Sequence, residues 1–156
     1  MLFLKNLVFV ILVPGVAAVA VPVWLGGPGG WWPLRAVSGI PFILGAAVAG
    51  KCVLDFAVTG RGTPAPIDPP KVLVVRGLYR FVRNPMYVGV LLIILGWALY
   101  FASLRIVTYG AVLWLGFHLF VVLYEEPHLS RRFGTSYDEY RAETPRWLPR
   151  LPKHTP

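Results

Sequence analysis

Four long apolar runs govern what this chain can fold into. They cover about Leu7 to Leu25, Ala36 to Val58, Met86 to Leu104 and Ile106 to Tyr124, and each reaches the roughly 20 residues that a helix needs to cross a hydrocarbon core. The 156 residues are 56% apolar and 14% charged, where soluble chains carry roughly 25% charged residues. A soluble globule of this size would lack the polar side chains to cover its surface. Disorder is excluded by the same apolar content and by 6 Trp, 7 Tyr and 9 Phe. One cysteine rules out a disulfide scaffold, and without a CxxC or Cys/His cluster no metal site is expected. The expectation is an all-α integral membrane bundle. It forms a single domain over 1–156 with about four transmembrane helices, a loop at 59–85 and a folded cytoplasmic tail at 125–156.

The formal charge is +8, but the cations sit in the gaps between apolar runs rather than on one soluble face. That distribution argues for juxtamembrane anchoring and against nucleic acid as a partner. With the N-terminus inside, the cytoplasmic side carries Lys5, the loop cations Arg61, Lys71, Arg76, Arg80 and Arg83, and the tail cations Arg131, Arg132, Arg141, Arg146, Arg150 and Lys153. The far side carries Arg35 and Arg105. The positive-inside rule therefore puts both termini in the cytoplasm, as for a bacterial inner-membrane protein. A competing reading of the N-terminus is a cleaved signal peptide, from Lys5, the apolar run and the small residues Ala18-Val19-Ala20. Against it, the apolar run continues to Leu25.

Polar residues inside the runs are few. Lys51 and Asp55 stand four apart on one helix face, where they are read as a mutual pair more readily than as a functional site. Cys52 reads as a small packing residue. His118 lies seven residues before Glu125, hence on its stripe, and is read first as an interhelical hydrogen-bonding group.

Two segments carry chemistry. In Gly77-Leu-Tyr-Arg-Phe-Val-Arg-Asn-Pro-Met-Tyr-Val-Gly89, Leu78, Phe81 and Val82 suit the membrane interface, and Arg80 and Arg83 suit headgroups or an anionic ligand. Asn84 and Pro85 read as a helix cap and first residue. That helix start, flanked by Arg83, can attract a carboxylate or phosphate. Tyr87 and Gly89 follow in the first turns, where glycine lets a ligand or a neighbouring helix come close. The second segment opens with Glu125-Glu126-Pro127, two carboxylates where a helix leaves the bilayer. Adjacent helical residues point about 100° apart, so one glutamate is expected to face inward and the other to pair with Arg131 or Arg132. Gly134 reads as a stop signal. Ser136-x-x-Glu139 reads as a capping box opening a helix that shows Tyr137 and Tyr140 on one face. Pro145-Arg146-Trp147-Leu148-Pro149 closes the tail with an interfacial tryptophan.

These two segments, Gly-x-Tyr-x-x-x-Arg-Asn-Pro-x-Tyr-x-Gly at 77–89 and Glu-Glu-x(6)-Phe-Gly-x-x-Tyr-x-x-Tyr-x(4)-Pro at 125–145, resemble the isoprenylcysteine carboxyl methyltransferase and phospholipid methyltransferase family of membrane proteins. The resemblance covers about Gly77 to Pro149. It implies S-adenosylmethionine as cofactor, with Tyr79, Arg83, Asn84, Pro85, Tyr87 and Gly89 on one wall of its pocket. Glu125, Glu126, Tyr137 and Tyr140 would form the other wall, with His118 as a secondary candidate and Arg83, Glu125 and Glu126 nearest the chemistry. The chain departs from the family at Asn84, where histidine is common, and at Glu143, where the prenylcysteine branch has a basic residue.

The expected activity is methyl transfer from S-adenosylmethionine to a small lipophilic acceptor at the membrane surface: a lipid amine, a carboxylate or a thiol. A strand–turn–helix glycine fingerprint is missing, which excludes a Rossmann-type methyltransferase. The alternatives are an NADPH-dependent membrane reductase of related scaffold and a non-catalytic four-helix membrane protein. The acceptor and the oligomeric state are not written in the sequence.

Overall fold

The computed structural model describes residues 15–55 and 73–150, and these residues form helices and no strand. The first part of the first apolar run, positions 56–58, most of the central loop and the end of the tail lie outside the described residues. Helix α1 (Val16–Leu25) opens as a π-turn at Val16–Ala20 and continues past Pro22. Helices α2 (Trp32–Val37) and α3 (Gly39–Asp55) follow one another across Ser38, whose hydroxyl donates to the Arg35 carbonyl at 2.7 Å. A 3-10 turn (Gly77–Arg80) leads into α4 (Pro85–Phe101). Helix α5 (Leu104–Phe120) runs on through a π-turn (Val121–Glu125) into α6 (Glu126–Phe133), and α7 (Thr135–Glu143) ends the helical tail.

Trp32–Asp55 and Leu104–Phe133 are long and apolar enough to cross a membrane, while Val16–Leu25 and Pro85–Phe101 are shorter apolar helices. Large apolar side chains face outward along them, with Ile43 71% and Leu104 78% exposed. At 1.5 Å per residue, Leu104–Phe133 measures about 45 Å against a hydrocarbon core of about 30 Å. A crossing helix of this length carries its last third, from about Glu125, beyond the core.

The hairpin between α4 and α5 turns at Ala102, which adopts φ 48° and donates its N–H to the Ala98 and Leu99 carbonyls. The turn therefore comes before Arg105: α4 ends three residues before Leu104, and α5 starts two residues before Ile106 and its helix runs on past Tyr124. Ala18, Val90, Ile94, Ala98 and Ile106 form the core where α1, α4 and α5 meet. Helices α3 and α4 touch through glycines: a Cβ on Gly45 would sit 2.6 Å from the Gly89 carbonyl oxygen. Such close approach needs small residues, as membrane helix pairs use them.

Around the 3-10 turn, Cys52, Val74 and Tyr79 form a second buried cluster, with Leu78 packed against it. Leu78 and the buried Val82 therefore face the protein and not the membrane interface. Lys51 and Asp55 form the i,i+4 ion pair that their spacing implies.

Candidate functional site

The segment 81–85 and the tail meet through backbone and side-chain bonds. Arg83 N donates to the Pro145 carbonyl at 2.9 Å, and Arg150 N donates to the Phe81 carbonyl at 2.9 Å. Residues 144–150 thus lie as a strap along 81–84. Asn84 joins the same contact, its Nδ2 donating to the Arg146 carbonyl at 3.2 Å. It holds the N-cap position of α4 without making a side-chain cap bond. Pro85 occupies the first helical position and is buried.

The two glutamates diverge. Glu125 accepts from the Tyr87 hydroxyl at 3.2 Å. Glu126 accepts from Arg146, Nε to Oε1 at 2.7 Å and Nη2 to Oε2 at 3.0 Å, and lies 3.0 Å from Arg83 Nη1. The expected partners Arg131 and Arg132 are not used. Five and six residues further on, at about 100° each, they fall on other faces of the helix, and both are exposed.

Burial pushes the Glu125 carboxyl above the ordinary range, against the Tyr87 hydrogen bond that lowers it. Burial acts on Glu126 in the same direction, but the Arg146 hydrogen bonds and the charges of Arg83, Arg146 and Arg141 outweigh it and hold Glu126 low. Two adjacent carboxyls are pushed apart by their surroundings, a pattern that functional sites favour.

Helix α7 supplies the remaining wall. Gly134, at φ 55°, separates it from α6. The helix begins at Thr135, so Ser136 lies inside the first turn and no side-chain cap bond forms; the capping box is absent. Tyr137 and Tyr140 are both buried on one face, as their spacing implies. The Tyr140 hydroxyl donates to the Tyr79 carbonyl at 2.7 Å, and Arg83 Nη1 makes a long 3.5 Å bond to the Tyr137 hydroxyl. Burial raises both phenols, with the Glu126 charge adding to the shift at Tyr137. Both stay protonated, Tyr140 as a donor to the Tyr79 carbonyl and Tyr137 as an acceptor from Arg83.

Between these elements lies a small recess lined by Arg83, Asn84, Val121, Glu125, Glu126, Leu129, Tyr137 and Tyr140. The other candidates lie elsewhere. Tyr79 has its ring in the Cys52 cluster. Gly89 is spent on helix contact, where a Cβ would come within 3.0 Å of Gly45 O and Ala49 N. Tyr87 stacks on Phe117 at 4.6 Å and reaches the recess only through Glu125. His118 accepts at Nδ1 from Trp147 Nε1 at 3.1 Å and stacks on Trp114. Three residues at the site are not signalled by the motifs: Val121 and Leu129, which line the recess, and Arg146, whose place after Pro145 is visible but whose partner Glu126 is not. No group of three or more His, Cys, Asp or Glu residues able to hold a metal occurs among the described residues.

The described residues form an all-helical scaffold of apolar, membrane-type helices with a charged recess at one end of the hairpin. Within it, the phospholipid methyltransferase model matches residues 35–136, and the chain belongs to that family. A protein-S-isoprenylcysteine O-methyltransferase of Schizosaccharomyces pombe is 34% identical over 82 residues, covering 52% of this chain and 34% of that protein. The chain thus spans about a third of the length of this curated relative. No solved structure matches. Tyr137, Tyr140 and the strap lie C-terminal to the segment that the family model covers.

Proposed function

We propose that this protein is a membrane-embedded methyltransferase that takes S-adenosylmethionine from the aqueous side and a lipophilic acceptor from the bilayer. The observation that carries the reading is the convergence of Arg83 and Asn84 with Glu125, Glu126, Tyr137 and Tyr140 around one recess in a member of this family. The recess is small, and the part of the cofactor assigned to it is the amino-acid end. The donor set fits that end. Carboxylates accept from an ammonium or from hydroxyls, and guanidinium and phenol groups donate to a carboxylate.

S-adenosylmethionine supplies a methyl group on a sulfonium that departs as a neutral thioether. The chain is then left with binding, alignment and the exclusion of water, which can contribute large effective molarities. Arg83, Glu125 and Glu126 are assigned to hold the reacting partners, Asn84 and Tyr140 to fix the two walls. Of the acceptors expected from the sequence (lipid amine, carboxylate or thiol), the relative's name favours a carboxylate and the family's a phospholipid group.

The test is incubation of purified protein with methyl-labelled S-adenosylmethionine and a total lipid extract. A labelled lipid product is expected. Binding of NADPH with no response to S-adenosylmethionine or S-adenosylhomocysteine would replace this reading with a reductase.

A further inference from the structure

The end of the molecule opposite the recess carries two cations that no carboxylate answers. Arg35 stands 20 residues before Asp55 in the helical stretch Trp32–Asp55, and Arg105 stands 20 residues before Glu125 in Leu104–Phe133. At 1.5 Å per residue each separation is about 30 Å, the thickness of a hydrocarbon core. Among the described residues every acidic side chain is Asp55 or lies from Glu125 onward, and neither arginine joins an ion pair. The two guanidiniums reach the same short loop, 26–30. Arg105 Nη2 lies 3.9 Å from where a Cβ on Gly27 would stand, and Arg35 Nη1 lies 2.8 Å from one on Gly29, so glycine leaves the Arg35 guanidinium its place. The loop is tied to the hairpin, with Gly30 N donating to the Tyr100 carbonyl at 3.1 Å. Arg35 is held by the same tyrosine: its Nη2 donates to the hydroxyl at 2.9 Å, and its Cζ stands 4.7 Å from the ring centre. Beside them Trp24, Trp31 and Trp32 are 80%, 67% and 74% exposed. Exposed indoles suit the headgroup level, where the ring meets acyl chains and the N–H meets polar groups.

We propose that Arg35 and Arg105, with the 26–30 loop between them, dock the phosphate of an anionic phospholipid in the leaflet opposite the recess. Guanidinium groups bind phosphate oxygens through charge-assisted hydrogen bonds. The choice of headgroup follows from charge complementarity. This surface offers donors and positive charge, and it has no carboxylate to pair with a choline or ethanolamine ammonium. A phosphodiester without a cation, as in phosphatidylglycerol, is the complement. Because Tyr100 already holds Arg35 in place, less side-chain freedom is lost on binding. The proposal rests on the chain crossing a bilayer and is independent of the methyltransferase reading.

Thermal melts of the full chain in detergent micelles, titrated with phosphatidylglycerol or phosphatidylcholine, measure the preference as a ratio of half-saturating lipid concentrations. Phosphatidylglycerol should stabilise the wild type at the lower concentration. Cations at the recess end also attract anionic lipid, so two double variants assign the effect. Arg35→Gln with Arg105→Gln should reduce the preference about fivefold or more, the share of at least one arginine near a lipid surface. Arg131→Gln with Arg132→Gln, at the other end, should reduce it less. Arg35→Lys with Arg105→Lys should keep most of it, because the charge remains. If the glutamine pair does not fold, Arg105→Gln alone carries the comparison, since Arg105 is exposed and outside every ion pair among the described residues. Equal response of the wild type to the two lipids overturns the proposal. So does a preference that survives in the glutamine pair, or one lost equally in the Arg131 and Arg132 variant. Inorganic phosphate that reproduces the stabilisation would make this a soluble-anion site and overturn lipid docking. None of these readouts involves methyl transfer, so they stand apart from the test of the enzyme.

Discussion

Arg83 Nη1 lies 3.0 Å from Glu126 Oε1, and each of the two side chains keeps only 9% of its surface exposed. The pair ties the start of α4 to the start of α6, so it joins the two segments that carry the site. Removing one member of a buried pair leaves the other charge uncompensated, at a cost of about 3–5 kcal/mol. Glutamine keeps an acceptor oxygen, which reduces that loss. Glu126→Gln should therefore destabilise the protein by about 2–3 kcal/mol. Glu125→Gln, whose oxygen can still accept from Tyr87, should cost less than about 1 kcal/mol. Denaturant melts in detergent compare the two. Equal losses would show that the Arg83 and Arg146 contacts add nothing specific to Glu126.

The same carboxylate sets a pH dependence. Glu126 is held below the ordinary glutamate value because its Arg146 hydrogen bonds and neighbouring arginine charges outweigh burial. A group with a lowered folded pKa contributes its full stability above the unfolded value, about 4.3 for glutamate. That contribution is lost as the pH falls through the folded value. The gap in melting temperature between wild type and Glu126→Gln should be widest near neutrality and close progressively below about pH 4. A gap that stays constant down to pH 3 would mean that Glu126 does not titrate with folding.

Much of this arrangement can be read from the chain itself, because hydropathy reports helices directly. The apolar runs anticipate α1, α3, α4 and α5 but not α2, which begins before the second run, and the prolines and Gly134 mark starts and stops. The divergence of Glu125 and Glu126 follows from helical geometry alone. Pairing at long range does not. Arg146 is 20 residues from Glu126 and Asn84 is 62 from Arg146, and neither contact leaves a periodic trace. For the same reason Gly89 looks like a site residue in a motif, while the fold uses it for helix contact; His118, on the Glu125 stripe, takes the hydrogen-bonding role by anchoring Trp147. Local capping rules also gave way at Asn84, which makes no cap bond and donates to the strap.

The contact between α3 and α4 depends on the absence of side chains at two positions. A Cβ at Gly45 would lie 2.6 Å from the Gly89 carbonyl and 2.9 Å from Ile93 N, both backbone atoms that cannot rotate away. Gly45→Ala should therefore push the helices apart and destabilise by about 1–3 kcal/mol. At Gly96 the obstacle is the Phe42 ring at 2.8 Å, a side chain with some freedom to move, so Gly96→Ala should cost less. Thermal melts of both variants check the order. Tolerance of Gly45→Ala would indicate that α3 and α4 slide easily past one another.

The two tail tyrosines share a helix face but make different bonds, so they should respond differently to loss of the hydroxyl. Tyr140 donates at 2.7 Å to the Tyr79 carbonyl in a buried setting, fastening α7 to the turn before α4. Tyr140→Phe leaves that carbonyl without its donor, at a cost of about 1–3 kcal/mol. Because α7 forms one wall of the recess, the same change should also weaken binding of S-adenosylhomocysteine if the recess holds it. Tyr137 receives only the long 3.5 Å contact from Arg83, and Arg83 keeps Glu126 as its stronger partner. Tyr137→Phe should cost less than about 1 kcal/mol of stability. A melt and a calorimetric titration on each variant separate the two effects. If Tyr140→Phe lowers stability and leaves affinity unchanged, α7 braces the fold without shaping the binding site. If Tyr137→Phe proves the more damaging of the two for affinity, its hydroxyl contacts ligand directly.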